Sequence, residues 1–366
     1  MKIALVHDYI KEYGGAERVL EALHEAFPRA PVYTAVFLPA YLGPHRERFM
    51  SWDIKTSWLQ HIPFVSKLIS PIRLIAPSVF RRMDLSSYDV IITSATGAYT
   101  PNLIRKGNAK LICYCHTPPR YLYGYATARN WKKNPVLRVF GELANHFLRL
   151  TDHEASQNVD QFIANSEEVA SRIKKFYRRD AIVIYPPVDL PTPTSINPKR
   201  TYFLTGGRLA APKHIDLAVA ACTKLKLPLK VFGKGFAGYG EELKKIAGPT
   251  VEFIGEVTDD EKWNLMYGAK AFIFPSEDED FGIIPVESMA CGTPVIAYRS
   301  GGVVESVIEG KTGVFFDELS LHSLIQTIRS FKTINSNWGP VCVEQTARFG
   351  KKYFLRQILN IVKNYQ

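Results

Sequence analysis

Sixteen residues near the middle of the chain, YPPVDLPTPTSINPKR at 185–200, hold five prolines, which deny the backbone both helix and central strand. Such a segment divides a chain, so each side must build its own core. Before it, Ile3 to Val6 reads as a buried strand, Tyr13-Gly14-Gly15 breaks it, and Val19, Leu20, Leu23, Ala26 and Phe27 recur at helical spacing. Further strands are expected at Val90 to Ile92, Leu111 to Tyr114, Phe162 to Ala164 and Ile182 to Ile184, with a helix after an Asn165-Ser166 cap. Beyond the prolines, strands near Tyr202 to Leu204, Leu229 to Phe232, Val251 to Ile254, Ala271 to Phe274, Pro294 to Ala297 and Val314 to Phe316 alternate with helical stretches. The pattern predicts an α/β protein with two parallel Rossmann-like sheets, over 1–190 and 191–342, whose ligands sit at the carboxyl ends of the strands. The tail, 343–366, has helical spacing and can pack on either domain.

The 366 residues exceed what one hydrophobic core usually organises. A net charge of +11 favours an anionic partner: nucleic acid, a phosphorylated substrate or an acidic membrane surface. Five cysteines at scattered positions argue against a disulfide framework, and Cys113 with Cys115 is not a spaced zinc pair. The unbroken apolar run before His7, Ile3 to Val6, is four residues long, too short for a signal-peptide core, and no run approaches the roughly 20 apolar residues of a membrane span. The expectation is a cytoplasmic protein, soluble or peripheral on the inner face of a membrane.

The most informative stretch is FIFPSEDEDFGIIPVESMACGTPVIA, in which a strand ending at Phe274 enters an acidic loop, a short helix and another strand. Glu279 falls in the loop and Glu287 on the helix, so both can enter one crevice as acceptors for sugar and ribose hydroxyls. An isolated acidic pair is more often a solvated loop; the surrounding pattern weighs against that here. It resembles the large family 4 of retaining glycosyltransferases, whose second domain carries Glu, any residue, Phe-Gly, four residues, Glu, and then Gly-x-Pro-Val. Glu279, Phe281-Gly282, Glu287, Gly292, Pro294 and Val295 match it. The resemblance implies a GT-B fold, two Rossmann-like domains facing across a cleft, with Glu279 beside the transferred sugar and Glu287 on the nucleotide ribose. Phe281, Gly282, Ile283 and Ile284 complete this donor-binding turn. The residue after Glu279 is Asp280, where the family usually has glycine, which adds charge near the donor.

At the opening of the second half, TYFLTGGRLAAPKHIDLAV, Arg208 and Lys213 straddle a turn containing Pro212. By the same resemblance they bind the donor diphosphate, supplying charge where the leaving group becomes more anionic. Alone they would be ordinary surface cations. The Gly14-Gly15 turn precedes a helix, and its amides can meet a phosphate. It lacks the full G-x-G-x-x-G fingerprint, which disfavours a dehydrogenase; a purely structural turn is the alternative. CYCHTPPRYLYGY places His116 at a strand end with Arg120 and Tyr121 just beyond. Similar HTP-x-RY segments occur in a bacterial mannosyltransferase-like branch of the family, which implies a sugar contact for His116 and an acceptor-side role for Arg120, Tyr121 and Asp8. A satisfied core histidine is the bland reading.

KTSWLQHIPFVSKLISPIRLIAPSVFRRM and RNWKKNPVLRVFGELANHFLRL mix apolar and basic residues, as an interfacial segment would; core packing explains them equally well. The resemblance further implies that the tail crosses back onto the first domain. It also implies a donor nucleotide sugar, GDP-mannose ahead of UDP-hexose, a glycan or lipid-linked saccharide acceptor in bacterial-type surface polysaccharide synthesis, and no metal or other cofactor. A nucleic-acid partner is not expected. A sugar phosphorylase or epimerase of the same fold and a non-catalytic nucleotide-sugar-binding protein remain as alternatives.

Overall fold

A computed structural model describes residues 1–127, 135–191, 199–333 and 337–365. The chain divides into two compact units, the first built from Met1–Pro187 with the tail from Lys351, the second mainly from Val188–Gly350.

The first unit has seven parallel strands: β1 (Ile3–His7), β2 (Val32–Thr34), β3 (Ile54–Thr56), β4 (Val90–Ala95), β5 (Lys110–Cys115), β6 (Gln161–Ala164) and β7 (Ala181–Val183), in the order β3-β2-β1-β4-β5-β6-β7. Its helices are α1 (Gly15–Ala26), α2 (Val65–Ile72), α3 (Ala76–Arg81), α4 (Pro135–Gln157) and α5 (Glu167–Tyr177). Alternation along β1 sends Ala4 and Val6 to one face of the sheet and Leu5 to the other, each into its own apolar cluster. β2 and β3 escape the hydrophobic pattern because they are three residues long.

The second unit repeats the plan with β8 (Tyr202–Gly206), β9 (Leu229–Phe232), β10 (Val251–Gly255), β11 (Ala269–Phe274), β12 (Val295–Tyr298) and β13 (Gly313–Phe316), ordered β10-β9-β8-β11-β12-β13. Around them run α6 (Ile215–Leu225), α7 (Tyr239–Ile246), α8 (Asp259–Tyr267), α9 (Ile283–Ala290), α10 (Val303–Ser306), α11 (Leu321–Thr333) and α12 (Trp338–Thr346); α13 (Lys351–Lys363) completes the chain. Both sheets reverse direction of growth once, between β1 and β4 and between β8 and β11. These are the switch points where open α/β sheets bind ligands.

The tail differs from the expected 343–366 helix. Its helical spacing is shared by α12, which stays in the second unit, and α13, which belongs to the first. Gly292 and Gly339 explain the former: a Cβ on Gly292 would lie 3.2 Å from the Gly339 Cα, so α12 can approach the end of α9 closely. In α13, Phe354, Ile358 and Val362 recur every four residues and join Val19, Leu20 and Leu23 of α1 in one core, with Lys351 paired to Glu25 at 2.9 Å. Val188 N–H donates to the Phe349 carbonyl, so the chain enters the second unit beside the point where it leaves. Most of the proline-rich stretch, 192–198, and the basic residues 129–134 lie outside the described residues. Among the described residues no helix is long and apolar enough to cross a membrane, and no group of three His, Cys, Asp or Glu side chains converges as a metal site would require.

Candidate active site

In the second unit, the loop after β8 is made by glycine. Gly207 adopts φ +111°, and a Cβ there would meet the Ile284 Cδ1 at 2.6 Å; a Cβ on Gly233 would lie 1.8 Å from the Gly207 carbonyl oxygen. The backbones after β8 and β9 therefore meet directly at the switch point, with the Ile284 side chain packed against them. Arg208 is exposed, while Leu209 and Ala210 are buried and anchor the loop. A short turn, Ala211–Lys213, leads through His214 at φ +46° into α6.

Lys213 forms an ion pair with Glu279, from the loop after β11, and Glu279 also accepts a 2.7 Å hydrogen bond from the Ser276 hydroxyl. The Glu277 amide donates to the Pro212 carbonyl, tying the two loops through their backbones. A third loop fixes the acidic turn: Gly302 N–H donates to the Glu279 carbonyl at 2.8 Å, and Asp278 N–H donates to the Ser300 hydroxyl at 3.1 Å. A Cβ on Gly301 would sit 2.3 Å from the Glu279 carbonyl oxygen. Gly301 and Gly302 thus brace the acidic turn, and sequence reasoning did not single them out. Gly282, at φ +87°, opens α9, with Phe281 buried against Phe349 at 5.4 Å and Ile283 and Ile284 half-buried in its first turn.

Glu287 lies on the helix after the acidic loop, as expected, and has a partner the sequence did not point to. It is buried on α9 and pairs at 2.8 Å with Lys262 of α8, which also bonds Asp259 at 3.0 Å. Sequence reasoning missed Lys262 because its position on α8, preceded by the Thr258 cap and Asp259-Asp260-Glu261, reads as one charge on a solvated helix face. A buried carboxylate without a counter-charge would be costly, and Lys262 supplies that counter-charge.

The first unit's switch point is of a different kind. His7 and Ser94 are register partners on β1 and β4, and His116 follows β5. The Ser94 hydroxyl lies 3.1 Å from His7 Nδ1 and 2.9 Å from His116 Nε2. Burial, with His7 nearby, pushes the His116 pKa down to about 3, so the ring is neutral. Asparagine Asn165 donates to the His116 carbonyl at 2.9 Å, and the buried Arg172 guanidinium donates to the Thr117 hydroxyl at 3.2 Å, holding the H-T-P turn.

Asp8 is fully buried and accepts hydrogen bonds from the Thr96 amide and hydroxyl, both at 2.5 Å, and from the Tyr99 amide at 3.1 Å. These tie down the loop after β4. Burial raises its pKa despite those donors. The Gly14 N–H donates to the Glu17 carboxylate at 2.9 Å at the start of α1, so that amide already has a partner within its own turn. Gly15, the first residue of α1, is exposed. The sequence carried no signal for Glu17, because the capping-box signature needs Ser or Thr where Gly14 stands. Arg120 and Tyr121 are both half-buried, and the Arg73 guanidinium lies 4.2 Å over the Tyr121 ring.

Two parallel sheets of this strand order, each with one switch point, place the chain among the Rossmann-like α/β proteins, and comparison with known proteins says which of them it resembles. The family "Glycosyltransferase Family 4" matches residues 13–191 and "Glycosyl transferases group 1" matches 189–352. The chain belongs to the family 4 glycosyltransferases. It is 25% identical over 271 residues to the Alpha-1,3/1,6-mannosyltransferase ALG2 of Mus musculus, a match covering 64% of this chain and 63% of that protein. It is 22% identical over 379 residues to ALG2 of Rhizomucor pusillus, covering 86% and 80%. The mouse match thus spans less than two thirds of the relative's length. Among solved structures, Anabaena Alr3699/HepE in complex with UDP superposes with a TM-score of 0.73 at 21% identity over the whole of both chains. At that identity the likeness establishes the GT-B fold.

Proposed function

We propose that this chain is a retaining hexosyltransferase that moves mannose from GDP-mannose to a glycan or lipid-linked saccharide, in the synthesis of a surface polysaccharide of bacterial type. The observation that carries this reading is the Lys213–Glu279 pair at the carboxyl ends of β8 and β11, the two strands that flank the switch point. In the free protein each charge satisfies the other. A bound donor replaces that pairing: the cations Lys213 and Arg208 turn to the diphosphate, and Glu279 accepts hydroxyls of the sugar. Glu287, paired with Lys262, accepts the ribose hydroxyls. In the first unit, neutral His116 contacts the sugar as a hydrogen-bond partner, and Arg120, Tyr121 and Asp8 shape the acceptor side.

In the reaction the acceptor oxygen bonds to the anomeric carbon as the bond from that carbon to the diphosphate oxygen breaks. The departing diphosphate takes the electron pair and can accept the acceptor's proton. No side chain forms a covalent intermediate, and configuration is retained through a short-lived oxocarbenium-like ion pair. Arg208 and Lys213 supply the positive charge that the leaving group needs.

Mannosyltransferase relatives support the sugar; the HepE complexes, one with UDP-glucose, keep a UDP-hexose donor as the second reading. An anionic membrane surface is the further partner in this proposal. Val139, Phe140, Leu143, Phe147 and Leu150 lie exposed along α4, and Phe64, Leu74 and Ile75 are exposed near Lys67 and Arg73. Apolar side chains interleaved with cations suit the interface of such a surface.

The test is a thermal-shift and donor-hydrolysis panel of GDP-mannose, UDP-glucose and UDP-N-acetylglucosamine, run beside Arg208→Ala and Glu287→Ala. One donor should raise the melting temperature of the native chain and be slowly consumed, with both effects lost in the variants. A folded protein that binds none of them refutes the proposal.

A further inference from the structure

Arg73, in the link between α2 and α3, has no counter-charge. Its guanidinium lies 4.2 Å over the Tyr121 ring, yet among the described residues it makes no hydrogen bond and no ion pair, and its Nε is sealed from solvent without an acceptor. The residues outside the described ones contain no Asp or Glu. Asp8 and Asp152, the carboxylates that act on Tyr121, are engaged by other donors, Thr96, Tyr99 and Tyr123, and burial raises the pKa of both. A half-buried cation left with unmet donors costs the free protein stability. A ring beneath a guanidinium takes up its face and leaves the N–H groups of its edge to grip one anion bidentately.

The surroundings of this cation select the kind of anion. From Ile54 to Met83 the chain carries five Lys or Arg and no Asp or Glu, and of those five only Arg73 is drawn in from the surface. The same segment bears two apolar rows. Val65, Ile69, Ile72 and Ala76 are buried in the first unit's core, whereas Phe64, Leu68, Pro71 and Ile75, each one position earlier in the chain, are exposed, as is Leu74 beside Arg73. An inorganic anion would use the cation and leave the outer row in water; an anion carried on a hydrocarbon chain uses both. Tyr99 ties the segment to the switch point of the first sheet, because its amide donates to Asp8 at 3.1 Å and its hydroxyl donates to the Ile69 carbonyl at 2.9 Å. Tyr121, under Arg73, belongs to the H-T-P-P-R-Y run that begins at His116.

We infer that Arg73 forms an anion subsite for the acceptor: it holds a phosphate borne on a hydrocarbon chain, the chain lying on Phe64, Leu68, Leu74 and Ile75 and the saccharide running past Tyr121 toward His116. That the phosphate belongs to an acceptor rests on the transfer reaction proposed above. The binding of an alkyl phosphate at Arg73 stands without it.

The experiment is calorimetric titration of the full chain with decyl phosphate, kept below its micelle concentration, and with inorganic phosphate, in the native protein, Arg73→Met and the double variant Leu74→Ser with Ile75→Ser. The native chain should bind decyl phosphate at least about tenfold tighter than inorganic phosphate, the gain from burying about two methylenes. Arg73→Met should weaken decyl phosphate about ten- to a hundredfold, the loss of hydrogen bonds to a charged group, and should melt no lower than the native chain, because it removes an unpartnered donor. The double variant should keep the inorganic phosphate affinity and lose the preference for the decyl chain. If Arg73→Met does not fold, Arg73→Lys decides instead: it trades the planar fork for a point charge and should bind decyl phosphate more weakly than the native chain. Unchanged decyl phosphate affinity in the Arg73 variant overturns the inference. Equal native affinity for the two phosphates overturns its lipid half and makes the ligand a free phosphate. A native chain that binds decyl phosphate through Arg73 but consumes no nucleotide sugar keeps the subsite and loses the proposed function; one that consumes a donor and binds no alkyl phosphate does the reverse.

Discussion

The two sheets share one strand order, yet their switch points carry opposite chemistry. In the first unit the groups are neutral or sequestered: His116 is held uncharged, Asp8 is enclosed by three donors, and Ser94 links two rings. In the second, Lys213, Glu279 and Arg208 are charged and reach solvent, and only Glu287 with Lys262 is dry. Hydrogen-bond geometry selects among sugar hydroxyls, whereas charge neutralises a diphosphate. Under the proposed function the same backbone plan carries one task of each kind, and the difference should show when each site is perturbed.

The largest effect is expected at the dry pair. Lys262→Met leaves Glu287 buried without its counter-charge and should destabilise the second unit by about 3–5 kcal/mol. Lys262→Met combined with Glu287→Leu should recover much of that loss, since an apolar pair of similar volume is often neutral. Thermal denaturation of the single and double variants checks both. A Lys262→Met protein as stable as the native chain would mean that the pair is effectively solvated, and that the two switch points differ less than their burial suggests.

Next comes Lys213→Ala, which removes a half-exposed cation and should leave the melting temperature almost unchanged. Donor turnover should fall about a hundred- to a thousandfold, the usual loss of one preorganised contact to developing charge. Turnover at the native level would transfer the diphosphate role to Arg208 alone. Asp8→Ala probes the other site and should act in the reverse sense. It orphans the Thr96 and Tyr99 amides, costing about 1–3 kcal/mol of stability, and it alters turnover only through the loop those amides belong to. Melting curves beside hydrolysis rates separate the two patterns.

These contrasts were unequally legible in the sequence. The long buried strands and the Glu279-to-Glu287 spacing could be read directly, because each is a local pattern with a strong hydrophobic or motif signature. Lys262 and Ser94 could not: neither stands out from its neighbours, and each acquires meaning from a strand or helix distant in the chain. The same holds for Gly301, whose importance comes from the Glu279 carbonyl against which it packs. β2 and β3 were missed for want of length, and the tail was read as one helix because helical spacing does not reveal a change of unit. The resemblance supplied what local physics did not, the assignment of Glu287 to ribose. The structure added Lys262, the counter-charge that burial of Glu287 calls for whatever its ligand.

The smallest expected effect concerns a group beneath the first site. Asp152 lines a cavity of about 20 Å³ with Thr100, Thr117 and Cys115, room for about one water, and accepts a 2.8 Å hydrogen bond from the Tyr123 hydroxyl. Burial pushes its pKa up to about 7, against an ordinary value of 3.8. Between those values the folded state holds a proton that the unfolded chain has released, so stability falls as pH rises through this window and levels off above it. The slope approaches 1.4 kcal/mol per pH unit at most. Asp152→Asn keeps an acceptor for Tyr123 and removes the titration, so the loss of stability between pH 5 and pH 7 should shrink by this contribution. Melting curves of both proteins across that range decide it. An identical pH dependence would show that water reaches Asp152 and that the first unit is less dry than the neutrality of His116 implies. A flattened one would extend the contrast between the two units below their binding surfaces, since the first would then exclude charge at Asp152 as well as at His116.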